Sequence, residues 1–312
     1  MPVVVTKGLS RNYGTRRGIR DINLSIEAGE IFGFLGPNGA GKSTTIRVLM
    51  GLLKASQGTA QIFGLDCWKD GPVVRRDVGY VAGDVRLYPW LTTRRALRML
   101  SQIHRRDLLP HGMKLAERFQ LEPDLAVRKM SRGNRQKVAL ILAMAHAPRL
   151  LILDEPTSGL DPLMQDTLMQ CLRELAAAGN TVMFSSHTLS EVETLCDRVA
   201  IVRDGRIVED AAMNQLKNQA PRQIIVTLNP EQRGLRSAWP AGVSVLFQPG
   251  MPGETSPALL MVAPSLQDRT CVLELHGTSI AFIQWAATQT FADVTIGPPS
   301  LEALFRKYYE PE

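Results

Sequence analysis

Cysteine is scarce in this chain, with four residues in 312, at positions 67, 171, 196 and 271. None forms a C-x-x-C pair, which argues against zinc-ribbon or dithiol redox chemistry and leaves reduced cytosolic thiols as the expectation. Long apolar runs are missing too. The best candidate, residues 138–153, is interrupted by His146, Pro148 and Arg149, so no segment reaches the roughly 18 apolar residues that a membrane-spanning helix needs. The first residues read as a strand, without the charged and apolar regions of a signal peptide. Aromatic residues make up 6% of the chain and do not interleave with its basic residues, so no nucleic-acid partner is expected.

What is present is a hydrophobic content of 45%, enough for a sizeable core, in a chain long enough for two domains. The net charge of +6 is uneven. Residues 221–312 hold six basic and eight acidic residues, which leaves 30 basic against 22 acidic in the first 220. That excess suits a polyanionic ligand or an anionic membrane face.

Residues 31–44 read IFGFLGPNGAGKST. They fit G-x-x-x-x-G-K-S/T, with Gly36, Gly41, Lys42 and Ser43 at the fixed positions. A buried strand is expected at 31–35 and a helix at 42–53. Glycines let the backbone wrap tightly and turn its N–H groups inward, and the helix N-terminus adds positive potential. The expected ATP-binding set is therefore Gly36, Asn38, Gly39, Ala40, Gly41, Lys42, Ser43 and Thr44. Lys42 would neutralise the β- and γ-phosphates, and the Ser43 hydroxyl would ligate Mg2+. The bland alternative is a glycine turn that binds nothing.

A second dense segment runs from Ser131 to Asp161. Its apolar run 150–153 reads as a buried strand that ends on two carboxylates, Asp154 and Glu155. Open α/β sheets place their chemistry at such strand ends. Buried acids need partners, and a divalent metal is one. Asp154 is expected near Mg2+, through water, and Glu155 as general base or water-positioning acid. His187 follows another strand, TVMFSS, and would reach the γ-phosphate; the alternative is a satisfied core histidine.

These pieces together resemble the motifs of an ABC transporter ATPase subunit over about the first 220 residues. GPNGAGKST is similar to Walker A, MSRGNRQK stands where the signature LSGGQ belongs, and LLILDE is similar to Walker B. SGLD, ending at Asp161, resembles the D-loop, His187 the switch histidine, and Tyr13 the aromatic that stacks on adenine. The resemblance implies an ATPase that uses ATP and Mg2+. It implies that Ser131, Gly133, Asn134 and Asp161 act in trans on the nucleotide of a second ATPase subunit, a homodimer being the simplest arrangement. It also implies a separate polytopic membrane permease and attachment at the cytoplasmic face of the cell membrane. The signature is similar to an S-R/K-G-N-R/K-Q-K branch of bacterial drug- and antibiotic-efflux ATPases. A soluble ABC ATPase acting in translation or DNA metabolism is the other class, although a single motif set and the absence of a long insertion speak against it. A nucleotide-binding module with impaired hydrolysis is a third.

Two positions depart from the family pattern. Arg132 and Asn134 replace the first glycine and the final glutamine of LSGGQ, and Gly83-Asp84 stand where the Q-loop glutamine belongs. Asp84 is a candidate metal-proximal acid or a solvated turn.

The expected fold class is an α/β P-loop ATPase with a small β subdomain and a helical subdomain, plus a small α+β C-terminal domain. The ATPase domain is expected over 1–220, with its helical subdomain at about 87–146 and helices at 93–104, 111–119 and 134–145. The helical block is Arg-rich, and 87–98, with Trp90 exposed, is expected to receive a coupling helix of the permease. Asp204-Gly205 reads as a hairpin turn. Residues 221–312 hold ten of the 19 prolines and five short strand candidates, among them 258–262, with helices expected at 279–288 and 300–309.

Overall fold

A computed structural model describes residues 2–14, 16–229, 239–249 and 269–301. The chain divides into two compact units, residues 1–213 and 214–312, a division that falls upstream of the expected 220/221.

The first unit holds two sheets. Strands β1 (Pro2–Tyr13) and β2 (Arg16–Glu27) form an antiparallel pair. With β4 (Gln57–Ile62) and β5 (Leu65–Asp66) they make a sheet in the order β2-β1-β4-β5. Val4, Leu9, Ile22 and Ile26 of this pair are fully buried. The second sheet contains β3 (Ile31–Leu35), β6 (Val78–Val81), β7 (Leu150–Asp154), β8 (Thr181–Ser186), β9 (Arg198–Arg203) and β10 (Arg206–Ala212). Its order is β10-β9-β3-β8-β7-β6, parallel except for the β9–β10 hairpin. Strands β3, β7 and β8 are buried at every residue, as continuous apolar runs between covered faces require. The hairpin turns at Asp204 and Gly205, with φ of 50° and 79°, the two left-handed residues of a type I′ turn.

Helix α1 (Lys42–Leu49) is shorter than expected. Gly51, at φ +62°, packs where a Cβ would lie 2.2 Å from Cys67 O, so a glycine stops the helix before 53. After α2 (Gly71–Val74) come α3 (Thr93–His104), α4 (Leu109–Arg118) and α5 (Arg132–Met144), which form the helical block. Helix α5 begins two residues before the expected Asn134, because Ser131 is its N-cap and accepts from Asn134 N. Helix α6 (Pro162–Ala177) starts with proline in its first turn and buries Met164, Leu168 and Leu172. Arg118 on α4 reaches α6 with two bonds to Glu174, of 2.5 and 2.9 Å. Helix α7 (Leu189–Leu195) follows β8, and α8 (Met213–Gln219) begins at the boundary and belongs otherwise to the second unit.

The second unit has a four-stranded antiparallel sheet of β11 (Arg222–Thr227), β12 (Val243–Phe247), β13 (Thr270–Leu275) and β14 (Asp293–Pro299), ordered β12-β13-β11-β14. Helix α9 (Ser279–Ala286) covers it. Ile224, Val226, Leu273 and Phe282 form the core, with Trp239, Trp285 and Phe291 against it. The expected strand at 258–262 and residues 302–309 of the expected last helix lie outside the described residues. Among the described residues no helix is long and apolar enough to cross a membrane.

Candidate active site

The parallel strands deliver their C-terminal ends to one edge. Leu35 pairs with Ser186, Asp154 with Ser185, and Val81 with Leu153, so the segments after β3, β8, β7 and β6 all emerge together. This is the edge at which open α/β sheets bind ligands.

The loop after β3 is tightly constrained. A Cβ at Gly36 would lie 2.4 Å from Val202 O, so only glycine fits there. Gly41, at φ +109°, is the N-cap of α1 and makes no side-chain cap bond, which leaves the first-turn N–H groups of the helix available to an anion. Lys42 is 4% exposed. Its Nζ donates to Gly36 O at 2.6 Å and to Pro37 O at 3.2 Å.

Glu155 stands opposite. Its Oε1 lies 3.3 Å from Lys42 Nζ and its Oε2 lies 3.3 Å from His187 Nδ1. Its backbone takes φ +50°, a left-handed conformation uncommon for a non-glycine residue and a mark of sites where geometry is imposed. Ser185 imposes it: Glu155 N donates to Ser185 O at 3.1 Å and to Ser185 Oγ at 3.2 Å. The same hydroxyl donates to Asp154 Oδ1 at 2.8 Å, which satisfies a carboxylate only 3% exposed.

A cavity of about 520 Å3 opens on Asp154 and Glu155 and is lined by Asn38, Ser43, Arg47, Tyr80, Gly83 and Asp84 among others. Burial, and next the Asp154 carboxylate, push the Tyr80 phenol above its ordinary range, against the pull of Arg47. Gly83 packs so near Asp154 that a Cβ would lie 3.4 Å from its carbonyl oxygen and 3.5 Å from its Oδ2. Asp84 lines the cavity but is exposed and bonds Arg86 at 2.8 Å. Tyr13 lies beside Gly18, where a Cβ would sit 3.5 Å from its ring. The ring is 41% exposed, with the Arg11 guanidinium over it at 5.1 Å.

Ser131, Gly133, Asn134 and Asp161 do not line this cavity. They gather at a second place, where the first turn of α5 meets residues 156–161. A Cβ at Gly133 would lie 2.5 Å from Gly159 O, and Asp161 caps α6 through Met164 N at 3.0 Å. Gly39, Ala40 and Thr44 lie within the loop and first turn of α1. Sequence reasoning missed Ser185, Tyr80 and Arg47. Ser185 had a signal, its place near the C-terminal end of the strand TVMFSS just before His187, whereas Tyr80 and Arg47 read as ordinary strand and helix residues. The four thiols are buried, and burial pushes Cys67 up to about 12 and Cys271 to about 11, so none is a reactive centre.

A glycine loop on a helix N-terminus, a buried lysine and two consecutive acids at the end of the strand β7 define a P-loop ATPase. The ABC transporter family profile matches residues 19–158. The bacitracin transport ATP-binding protein of Bacillus licheniformis is 34% identical over 237 residues, covering 75% of this chain and 77% of the relative. The linearmycin resistance ATP-binding protein of Bacillus subtilis is 31% identical over 71% of this chain and 73% of its own length. A probable multidrug ABC transporter ATP-binding protein of Escherichia coli is 34% identical over 70% of this chain and 38% of its own. The solved structure of an ATP-binding subunit of an ABC transporter matches with a TM-score of 0.65 and 30% identity, over 70% of this chain and 92% of that one. A dimeric cassette bound to ADP and Pi, at 24% identity and a TM-score of 0.62, shares the fold. The chain belongs to the ABC transporter ATP-binding proteins and is an ATPase of that family.

Proposed function

We propose that this chain powers export of antibiotics or other hydrophobic compounds through a separate membrane permease, as one of two identical ATPase subunits at the cytoplasmic face. The observation that carries the reading is Glu155 held between Lys42 and His187 at the sheet edge. The relatives named for bacitracin, multidrug and linearmycin support the substrate class.

Asn38, Gly39, Ala40, Gly41 and Thr44 cradle the phosphates, and Tyr13 stacks on the adenine. Lys42, bonded here to two loop carbonyls, turns to the β- and γ-phosphates. Mg2+ fits the donor set, because Ser43 and Asp154 bring oxygen ligands to one cavity. When bound, it offsets negative charge on the phosphates. Glu155 takes a proton from a water that attacks the γ-phosphorus, and the bond from that phosphorus to the bridging oxygen breaks, releasing ADP and phosphate. His187 holds the γ-phosphate and the position of Glu155. Ser131, Gly133, Asn134 and Asp161 serve the nucleotide of the second subunit.

Permease contact is assigned to an apolar groove of about 640 Å3 lined by Leu87, Tyr88, Leu91, Met99, Ile103 and Leu142 among others. Trp90, 50% exposed, stacks on Tyr88 at 5.8 Å beside it. Purifying the tagged chain from detergent-solubilised membranes tests the reading. A stoichiometric polytopic membrane protein with ATPase activity in the complex is expected; a chain recovered alone, or with ribosomes or DNA, would contradict it.

A further inference from the structure

Within one chain, the first turn of α5 is fastened to the loop that joins Glu155 to Asp161. Arg132 Nη2 donates to Ser158 Oγ at 2.8 Å. The stem of the same side chain covers Gly159, where a Cβ would lie 3.5 Å from its Cγ and 3.6 Å from its Cδ. One turn on, the buried amide of Gln136 donates from Nε2 to Pro156 O at 3.0 Å. The loop then bonds back to the acid itself, since Ser158 N donates to Glu155 O at 3.2 Å. Arg132 is also one of the positions at which this chain departs from LSGGQ. A glycine there would supply neither the bond nor the cover.

We infer that Arg132 is a positioning residue, which clamps the 156–161 loop to the signature turn so that the two ATP sites of a dimer act together. The inference rests on the two-subunit reading above. In that arrangement Ser131 and Gly133 touch the partner's nucleotide, while Glu155 serves the chain's own. The contacts from Arg132 through Ser158 to Glu155 are the physical link between those two places. The guanidinium is turned to Ser158, so its role is to hold the loop. An arginine suits it because the fork makes a directed bond while the long stem packs on a glycine.

The test compares Arg132→Ala, Arg132→Lys, Ser158→Ala and the Arg132→Ala/Ser158→Ala double variant in the full-length chain. Each alanine variant is expected to lower kcat by about tenfold or more, the loss of one bond from a charged donor. Each is also expected to bring the Hill coefficient for ATP towards one. The double variant should be no worse than the worse single variant, because both remove the same link. Arg132→Lys should recover part of the loss. Binding of a fluorescent ATP analogue to the chain's own site should stay unchanged and each variant should remain folded, which separates this role from loss of the fold. A wild-type Hill coefficient of one, unchanged kinetics in both single variants, or additive losses in the double would overturn the clamp. The underlying reading is scored separately in a Glu155→Gln background, where ATP should convert monomer to dimer. No dimer there overturns both; a dimer with unchanged Arg132→Ala kinetics overturns only the clamp.

Discussion

Lys42 Nζ lies 3.3 Å from Oε1 of Glu155, although the strands that lead to them, β3 and β7, are separated in the sheet by β8. A lysine 4% exposed needs such company, because an unpaired buried charge is costly. The pair is also the arrangement that a phosphate would open, since the anion offers the lysine a better partner.

Lys42→Ala should therefore weaken ATP affinity by at least about tenfold, the worth of roughly one charge-assisted contact. Titration with a fluorescent ATP analogue measures it. An unchanged Kd would remove the glycine loop from the account.

Ser185→Ala should strike both acids at once. The variant removes the donor to Asp154 Oδ1 and one of two acceptors for Glu155 N. A buried carboxylate oxygen left unpaired costs about 1–3 kcal/mol, which urea denaturation would read as a lower midpoint. Turnover should fall further than stability alone explains. Wild-type turnover would show that Ser185 does not position Glu155.

Replacing Tyr88 and Trp90 together by alanine should weaken permease assembly, because the pair is exposed and stacked beside the apolar groove. Arg94, one of the arginines of this block, is instead engaged within the chain by Asp124, with bonds of 2.8, 2.9 and 3.1 Å. Arg94→Ala is thus expected to leave assembly largely intact. Co-purification yield and coupled transport check both. Unchanged assembly in the aromatic double variant would move the docking surface elsewhere.

His146, stacked on His104 with ring centroids 4.5 Å apart, gives the helical block a pH dependence. Burial, then the neighbouring His104 and Arg106, pull its pKa from 6.5 down to about 4. Between those values the unfolded chain binds a proton that the folded ring refuses. The ring's contribution is therefore complete above about pH 6.5 and lost progressively as pH falls towards 4. His146→Phe, which keeps a ring against His104, should lose less stability than the wild type between pH 7 and pH 5 in urea denaturation. Parallel losses would contradict this assignment.

Much of the site was legible because it is local. The strand–loop–helix at 31–49, the strand ending on Asp154, and the Asp204-Gly205 turn each depend on residues close in sequence. Gly51, which ends α1, is itself a stop signal in the sequence; what the sequence does not carry is the approach of Cys67 O, which leaves no room for a Cβ there. Likewise the positive φ of Glu155, the Ser185 bridge and the bond from Arg132 to Ser158 depend on partners 26 to 31 residues away, brought close only by the sheet order. Asp84 was read as metal-proximal or solvated; it lines the cavity wall as an exposed carboxylate bonded to Arg86.

The measurement that bears most directly on the central claim is single-turnover hydrolysis by Glu155→Gln. Glutamine keeps the shape of the side chain but cannot accept the proton from water. The variant should bind ATP with Mg2+ and return it intact, with hydrolysis at least about a hundredfold slower, the usual worth of a general base. Recovery of ADP at a rate near that of the wild type would contradict the assignment of Glu155 as the hydrolytic residue.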